Sequence, residues 1–283
     1  MVVSAATSGS DKSQIQSLAK GFRVLETFSA EDRELTLSEI AGRAGPDPGT
    51  VFRILSTFTT LGYLDRVSGT KRFRLTLKVL DLGFHAIART EVRDLARPIL
   101  RSLVGQVNEA ASLATLEGDD VVYLERVHAG LVRLGVDTRI GSRLPAYYTA
   151  LGHAILAHLP REDQLRILNM RERVKLTPST PTTIAEIDAR MDRVRRNGFA
   201  LSDQEVVSGM RVMAAPVLDA DGLPSAAVSV AAPSHSMPLK DFVSRTAPPL
   251  LDAAAAIGKA IRCSGATTLQ THRPTPSTAT GLN

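Results

Sequence analysis

The chain has 283 residues, 43% of them hydrophobic and 22% charged, a globular composition whose length predicts two domains at about 150 residues each. No run approaches the ~18 apolar residues of a membrane helix, and a single cysteine, Cys263, excludes an internal disulfide or a multi-cysteine zinc cage. Net charge is only +5 and aromatics are 4% with no tryptophan, so charge distribution is more informative than its total and the cores must be aliphatic. Met1 to Ser13 is small and polar, without a basic segment leading into an apolar one. It reads as disordered and not as a secretory leader, so a cytoplasmic protein is expected.

From Ser17, the positions Leu18, Phe22, Leu25 and Phe28 recur as one stripe of an amphipathic helix. A polar loop follows. Thr36-Leu-Ser-Glu39 is a capping-box pattern that opens a short helix stopping at Gly45-Pro46. Asp47 then reads as N-cap of a third helix with Pro48 at its first position, where the missing N–H costs nothing. Val51, Ile54, Leu55, Phe58 and Leu61 fill its inward arc. Gly49, Phe52, Arg53, Ser56 and Thr60 fill the opposite arc, with Thr50 and Thr57 at its edge. An arginine, small hydroxyls and one apolar ring suit the DNA major groove: arginine pairs with guanine, and a ring contacts thymine methyls. Tyr63–Val67 and Arg72–Leu75 read as strands around the turn Ser68–Lys71. Between Asp47 and Lys78 lie six cations, including Arg66, Lys71 and Arg72, against two carboxylates, an excess close to that of the whole chain. A basic helix with a basic hairpin behind it is a footprint for phosphate binding.

The runs SLAKGFRVLETFS (17–29), LTLSEIAGRAG (35–45), DPGTVFRILSTFTTLGYLDRV (47–67) and KRFRLTLKVLDLG (71–83) resemble, in order, the winged helix-turn-helix of the IclR family of bacterial transcription regulators. One departure is Asp47-Pro48-Gly49, where the family more often opens with Lys-Ser. The resemblance assigns DNA contact to Gly49, Thr50, Phe52, Arg53, Ser56, Thr57, Thr60, Arg66, Lys71 and Arg72.

The remainder alternates strands and helices. Leu75 to about Thr90 is expected to be a connecting helix. Val92, Leu95, Ala96, Ile99, Leu103 and Val107 continue a helical stripe that Pro98 should kink or restart. Ala111–Leu116 and Val121–Val127 flank a hairpin signal at Gly118-Asp-Asp, and Leu131–Val136 reads as another strand. Arg139 to Pro145 reads as a loop. Ala150–Leu159, Glu162–Asn169, Ile184–Asn197 and Leu239–Arg262 read as helices. Val212–Leu218 and Ala226–Ala231 read as strands around the turn Asp219–Gly222. The pattern is that of an α+β domain.

Segments 141–157, 198–205 and 209–217 resemble the effector-binding domain of the same family, closest to the branch that controls catabolism of aromatic acids such as protocatechuate and 4-hydroxybenzoate. The segment Leu131–Thr138 departs from that branch. The resemblance implies an α+β fold of the GAF/profilin-like kind and a pocket for a small organic acid. Matching segments puts Arg133, Val136, Ala150, Leu151, Ser202, Met210, Val212, Ser229 and Ala231 around it. Arg133 is the candidate carboxylate clamp and Tyr148, with Tyr147, a candidate ring-stacking partner. The expected layout is a disordered segment 1–16, a DNA-binding domain 17–76, a linker helix 77–92, an effector-binding domain 93–262 and a disordered tail 263–283. The resemblance further implies a homodimer on a palindromic operator, pairing again into a tetramer.

No G-x-S-x-G, G-x-G-x-x-G or P-loop pattern is present. His153 and His158, five apart, point about 140° from each other on a helix and do not face one metal. No catalytic residue, metal or cofactor is therefore expected, and no membrane partner. The competing reading is a sensor or adaptor whose winged module binds protein.

Overall fold

A computed structural model describes residues 15–29, 31–82, 91–129 and 138–264. The chain divides into two compact units, Met1–Ala86 and Ile87–Asn283. The expected strand Leu131–Val136, residues 83–90 of the expected connecting helix, residues 1–14 and the tail from 265 lie outside the described residues. Among those described, no helix is long and apolar enough to cross a membrane.

The first unit holds α1 (Gln16–Leu25), β1 (Leu35–Thr36), α2 (Leu37–Ala44), α3 (Pro48–Thr60), β2 (Leu64–Arg66) and β3 (Arg72–Leu75). Its helix signals act as the sequence suggests. Thr36 and Glu39 close a reciprocal capping box on α2, and Gly45, in the left-handed region at φ +88°, ends it. The Asp47 carboxylate accepts the Thr50 N–H at 2.9 Å and sets the first turn of α3. Strand β3 pairs antiparallel with β2 and also with the two-residue β1, which was read as loop and cap. So short a strand carries no periodicity of its own.

The stripe on α1 is corrected. Leu18 and Phe22 are 58% and 57% exposed, while Gly21 and Val24 face the core. The Phe58 ring of α3 lies against Gly21, where a Cβ would meet it at 3.4 Å. That close approach at a residue without a side chain rotates α1 and leaves Leu18 and Phe22 outside. Leu61 is likewise half exposed, because α3 ends at Thr60 and Leu61 is its cap.

The second unit is one antiparallel six-stranded sheet, ordered β6-β5-β4-β9-β8-β7, with helices on both faces. Its strands are β4 (Ala110–Glu117), β5 (Asp120–Val127), β6 (Arg143–Pro145), β7 (Ala200–Asp203), β8 (Met210–Leu218) and β9 (Pro224–Pro233). Helices α4 (Glu91–Val107) and α8 (Leu239–Ser264) pack an aliphatic core on one face. On the other lie α5 (Ala150–Leu156), α6 (Arg161–Leu168) and α7 (Ile184–Asn197). The long strands read near-continuously apolar because both faces are covered.

Pro98 does not break α4, which runs unbroken from Glu91 to Val107. Burial of Ala96, Leu100 and Leu103 on the sheet compensates for the single backbone hydrogen bond that proline removes. The segment expected to be loop at 139–145 contains edge strand β6, held by pairing with β5 and by Arg143, which bridges Glu117 at 2.7 Å and Asp120 at 3.3 Å. Strand β5 carries a bulge. Glu125 sits opposite Leu113 and Tyr123 opposite Ala114, so Leu124 is the extra residue.

Candidate functional site

In the first unit the outward face of α3 is as expected. Gly49, Phe52, Arg53, Ser56, Thr57 and Thr60 are exposed and Thr50 is half-buried. Phe52 is 59% exposed. Arg53, Arg66 and Lys71 enter no salt bridge among the described residues. Thr57 differs in that its hydroxyl donates to the Arg53 carbonyl at 2.9 Å. Arg72 is tied to its own domain, donating to the Glu34 carbonyl at 2.8 Å with Glu39 at 3.6 Å. It anchors β3 to the α2 capping box. Lys78 donates to the Leu61 carbonyl and lies over the Tyr63 ring, so it pins the end of α3 to the hairpin.

In the second unit a cavity opens between the sheet and α5. It is lined by Ala150, Leu151, Ser202, Met210, Val212, Ser229 and Ala231, seven of the ten residues matched from sequence. The arrangement follows from register. Ser202 is paired with Val212 and Val212 with Ala231, so neighbouring strands bring these side chains to one face. Thr149 caps α5 by accepting the Gly152 N–H at 3.0 Å, which turns Ala150 and Leu151 toward the cavity. About 50 Å³ is open to the centre of a water molecule, room for a few waters and hence for a small ligand.

Arg133 and Val136 lie outside the described residues. Tyr148 is not in the lining. It is buried, edge-on to Tyr147 at 4.8 Å between ring centroids, and burial pushes its hydroxyl up to about 12. The Tyr147 hydroxyl donates to the Val174 carbonyl at 2.9 Å and accepts its N–H at 2.8 Å. Neither ring is among the cavity-lining residues. Sequence reasoning missed Tyr123, Arg126, Thr138, Thr149, Leu144 and Val206. Arg126 lines the cavity and donates to Ser112 Oγ at 3.1 Å. Tyr123, also buried, is pushed up to about 12 and is a neutral hydrogen-bonding group there.

The histidines do not form a catalytic pair. His153 is fully buried, its Nε2–H donating to the Tyr147 carbonyl at 2.7 Å, and its Nδ1 has no partner. His158 bonds back to the Ala154 carbonyl of its own helix.

Two family models match the chain: the IclR helix-turn-helix domain over residues 17–68 and the bacterial transcriptional regulator IclR C-terminal domain over residues 84–259. The Pca regulon regulatory protein of Pseudomonas putida is 33% identical over 246 residues, 86% of this chain and 83% of that protein. The HTH-type transcriptional regulator KdgR of Escherichia coli (strain K12) is 31% identical over 220 residues, 78% of this chain and 83% of that one. Among solved structures, an IclR homolog complexed with 4-hydroxybenzoate from Microbacterium hydrocarbonoxydans superposes with a TM-score of 0.76 at 26% identity, covering 87% of this chain and 99% of that one. The family models thus assign an N-terminal helix-turn-helix and an IclR C-terminal domain, and the superposition shows that the fold is shared with a solved IclR homolog. The chain belongs to the IclR family of bacterial transcriptional regulators.

Proposed function

We propose that this regulator binds a palindromic operator as a homodimer, reading bases with α3 and gripping phosphates with the β2–β3 hairpin as a wing. A small organic acid, aromatic in character, binds the cavity of the second unit, whose architecture we read as GAF/profilin-like, and biases operator affinity. The observation that carries the reading is the exposed face of α3, where Arg53 and Phe52 stand clear of the core, together with the exposed cations Arg66 and Lys71 of the same unit. One such helix covers too few base pairs for useful specificity, and two-fold pairing doubles the site. Two such dimers can pair again into a tetramer. The Pca regulon relative and the 4-hydroxybenzoate complex support an aromatic acid.

The test uses duplexes selected from a random-sequence pool by the full-length protein. Affinity for the selected duplex should fall by ~100-fold or more between ~50 and ~200 mM salt, through counterion release. Affinity indifferent to salt would favour the adaptor reading, in which the first unit binds protein. On the same duplex Arg53→Ala should weaken specific binding by about 1–3 kcal/mol while barely changing binding to random DNA. Equal gel-shift midpoints for variant and parent would remove Arg53 from base recognition.

A further inference from the structure

The bulge in β5 decides which charge enters the cavity. In a regular strand, residues three apart point to opposite faces. Tyr123 and Arg126 are three apart, yet both line the cavity. The extra residue at Leu124 makes this possible, and its neighbours hold it in place. Leu124 is buried in the core formed with α4 and α8. Glu125, 3% exposed, faces α4 as well: it accepts from Arg93 Nε at 3.0 Å, with Arg97 at 3.7 Å. Two consecutive side chains are thus held on the α4 side, and the residues flanking them are turned the other way. Glu125 Oε1 also accepts the Arg126 backbone N–H at 3.0 Å. Bulges that re-aim one side chain recur beside functional sites.

Register completes the arrangement. Arg126 stands opposite Ser112 on β4, and Ser112 stands opposite Ser229 on β9. A polar row therefore crosses a face of the sheet that is otherwise aliphatic and alanine-rich. Among the described residues that line the cavity, Arg126 alone carries a formal charge. An apolar-walled cavity with one guanidinium and a few hydroxyls matches a small monocarboxylate: the fork takes the carboxylate, and Ser229 is placed to add a hydrogen bond.

We propose that Arg126, aimed by the Leu124 bulge, is the residue that binds the carboxylate of the effector, so that the cavity selects acids over their neutral isosteres. This rests on the reading of the cavity as the effector site. It moves the clamp role from Arg133 to a residue on β5, a strand with a helix-covered core on its α4 side.

The test is calorimetric titration of the full-length protein with benzoate, 4-hydroxybenzoate and 3,4-dihydroxybenzoate and with the three corresponding carboxamides. Parent protein should bind at least one acid ~30-fold or more tightly than its amide, the size of one charge-assisted bidentate contact. Arg126→Gln should abolish that preference by weakening the acid and sparing the amide, and Arg126→Lys should restore part of it. Urea unfolding midpoints equal to the parent's, with amide binding retained, report that the second unit of both variants is folded. Acid binding unchanged in Arg126→Gln, or a parent that binds acid and amide alike, overturns the assignment while leaving the effector site standing. Failure of every acid and amide to bind the parent overturns the aromatic-acid reading itself, and this assignment with it.

Discussion

Gly152→Ala is expected to destabilise the second unit by more than ~3 kcal/mol, since its added methyl meets the closest contact of any described glycine. A Cβ at position 152 would lie 2.1 Å from the Ala146 carbonyl oxygen and 2.5 Å from its Cα. Both are main-chain atoms that no rotamer change moves aside. The Ala146 backbone is itself anchored, donating its N–H to the Asp119 carbonyl at 2.8 Å. Helix α5 would have to lift from the sheet, and with it Thr149, Ala150 and Leu151 of the cavity wall. Urea unfolding should show a lower midpoint, and binding of the aromatic acids should be lost in parallel. Gly105→Ala is the contrasting control. Nothing lies within 4 Å of its added Cβ, it sits inside α4, and helix propensity should make it stabilising by about 0.5–1 kcal/mol. Indistinguishable midpoints for the two variants would show that the close approach of α5 to Ala146 does not exist in solution.

The second large effect is an acid-dependent loss of stability from His153. Burial without a counter-charge holds its imidazole neutral, down from an ordinary 6.5 to about 4. The Tyr147 carbonyl, which accepts the Nε2–H, and the cations Arg190 and Arg193 modify that value without reversing it. The unfolded chain therefore takes up a proton first. The contribution is fully present above about pH 6.5 and is lost progressively as pH falls toward 4, amounting to about 3 kcal/mol. Unfolding free energies of the parent should fall across that window by about this much more than those of His153→Gln, whose amide can still donate to the Tyr147 carbonyl. Parallel pH profiles for the two proteins would contradict a buried neutral histidine.

The helix-turn-helix was legible because its signals are local. The Thr36–Glu39 box, the Asp47-Pro48 start and the glycine stops act within a few residues of the atoms they organise. Long strands and amphipathic helices of the second unit were legible for the same reason, down to the ends of α7. Edge strand β6 and the short β1 were not, since two or three residues show no period and exist only through their partners. The rotation of α1 was also hidden, because it depends on a ring from α3 reaching Gly21.

For the cavity, family matching brought together seven side chains, whereas Tyr148, offered as a ring-stacking partner, packs edge-on to Tyr147 and is not in the lining. Sequence by itself determined that two units exist, that one presents a basic helix and hairpin, and that the other is an α+β domain with two strand–turn–strand units, because periodicity, caps and charge are properties of neighbouring residues. Which cation faces the cavity was decided only in three dimensions. An inserted residue in β5 reverses the alternation that a reader of the sequence must assume, and Leu124 and Glu125 stay on the α4 side only because that helix is there to receive them.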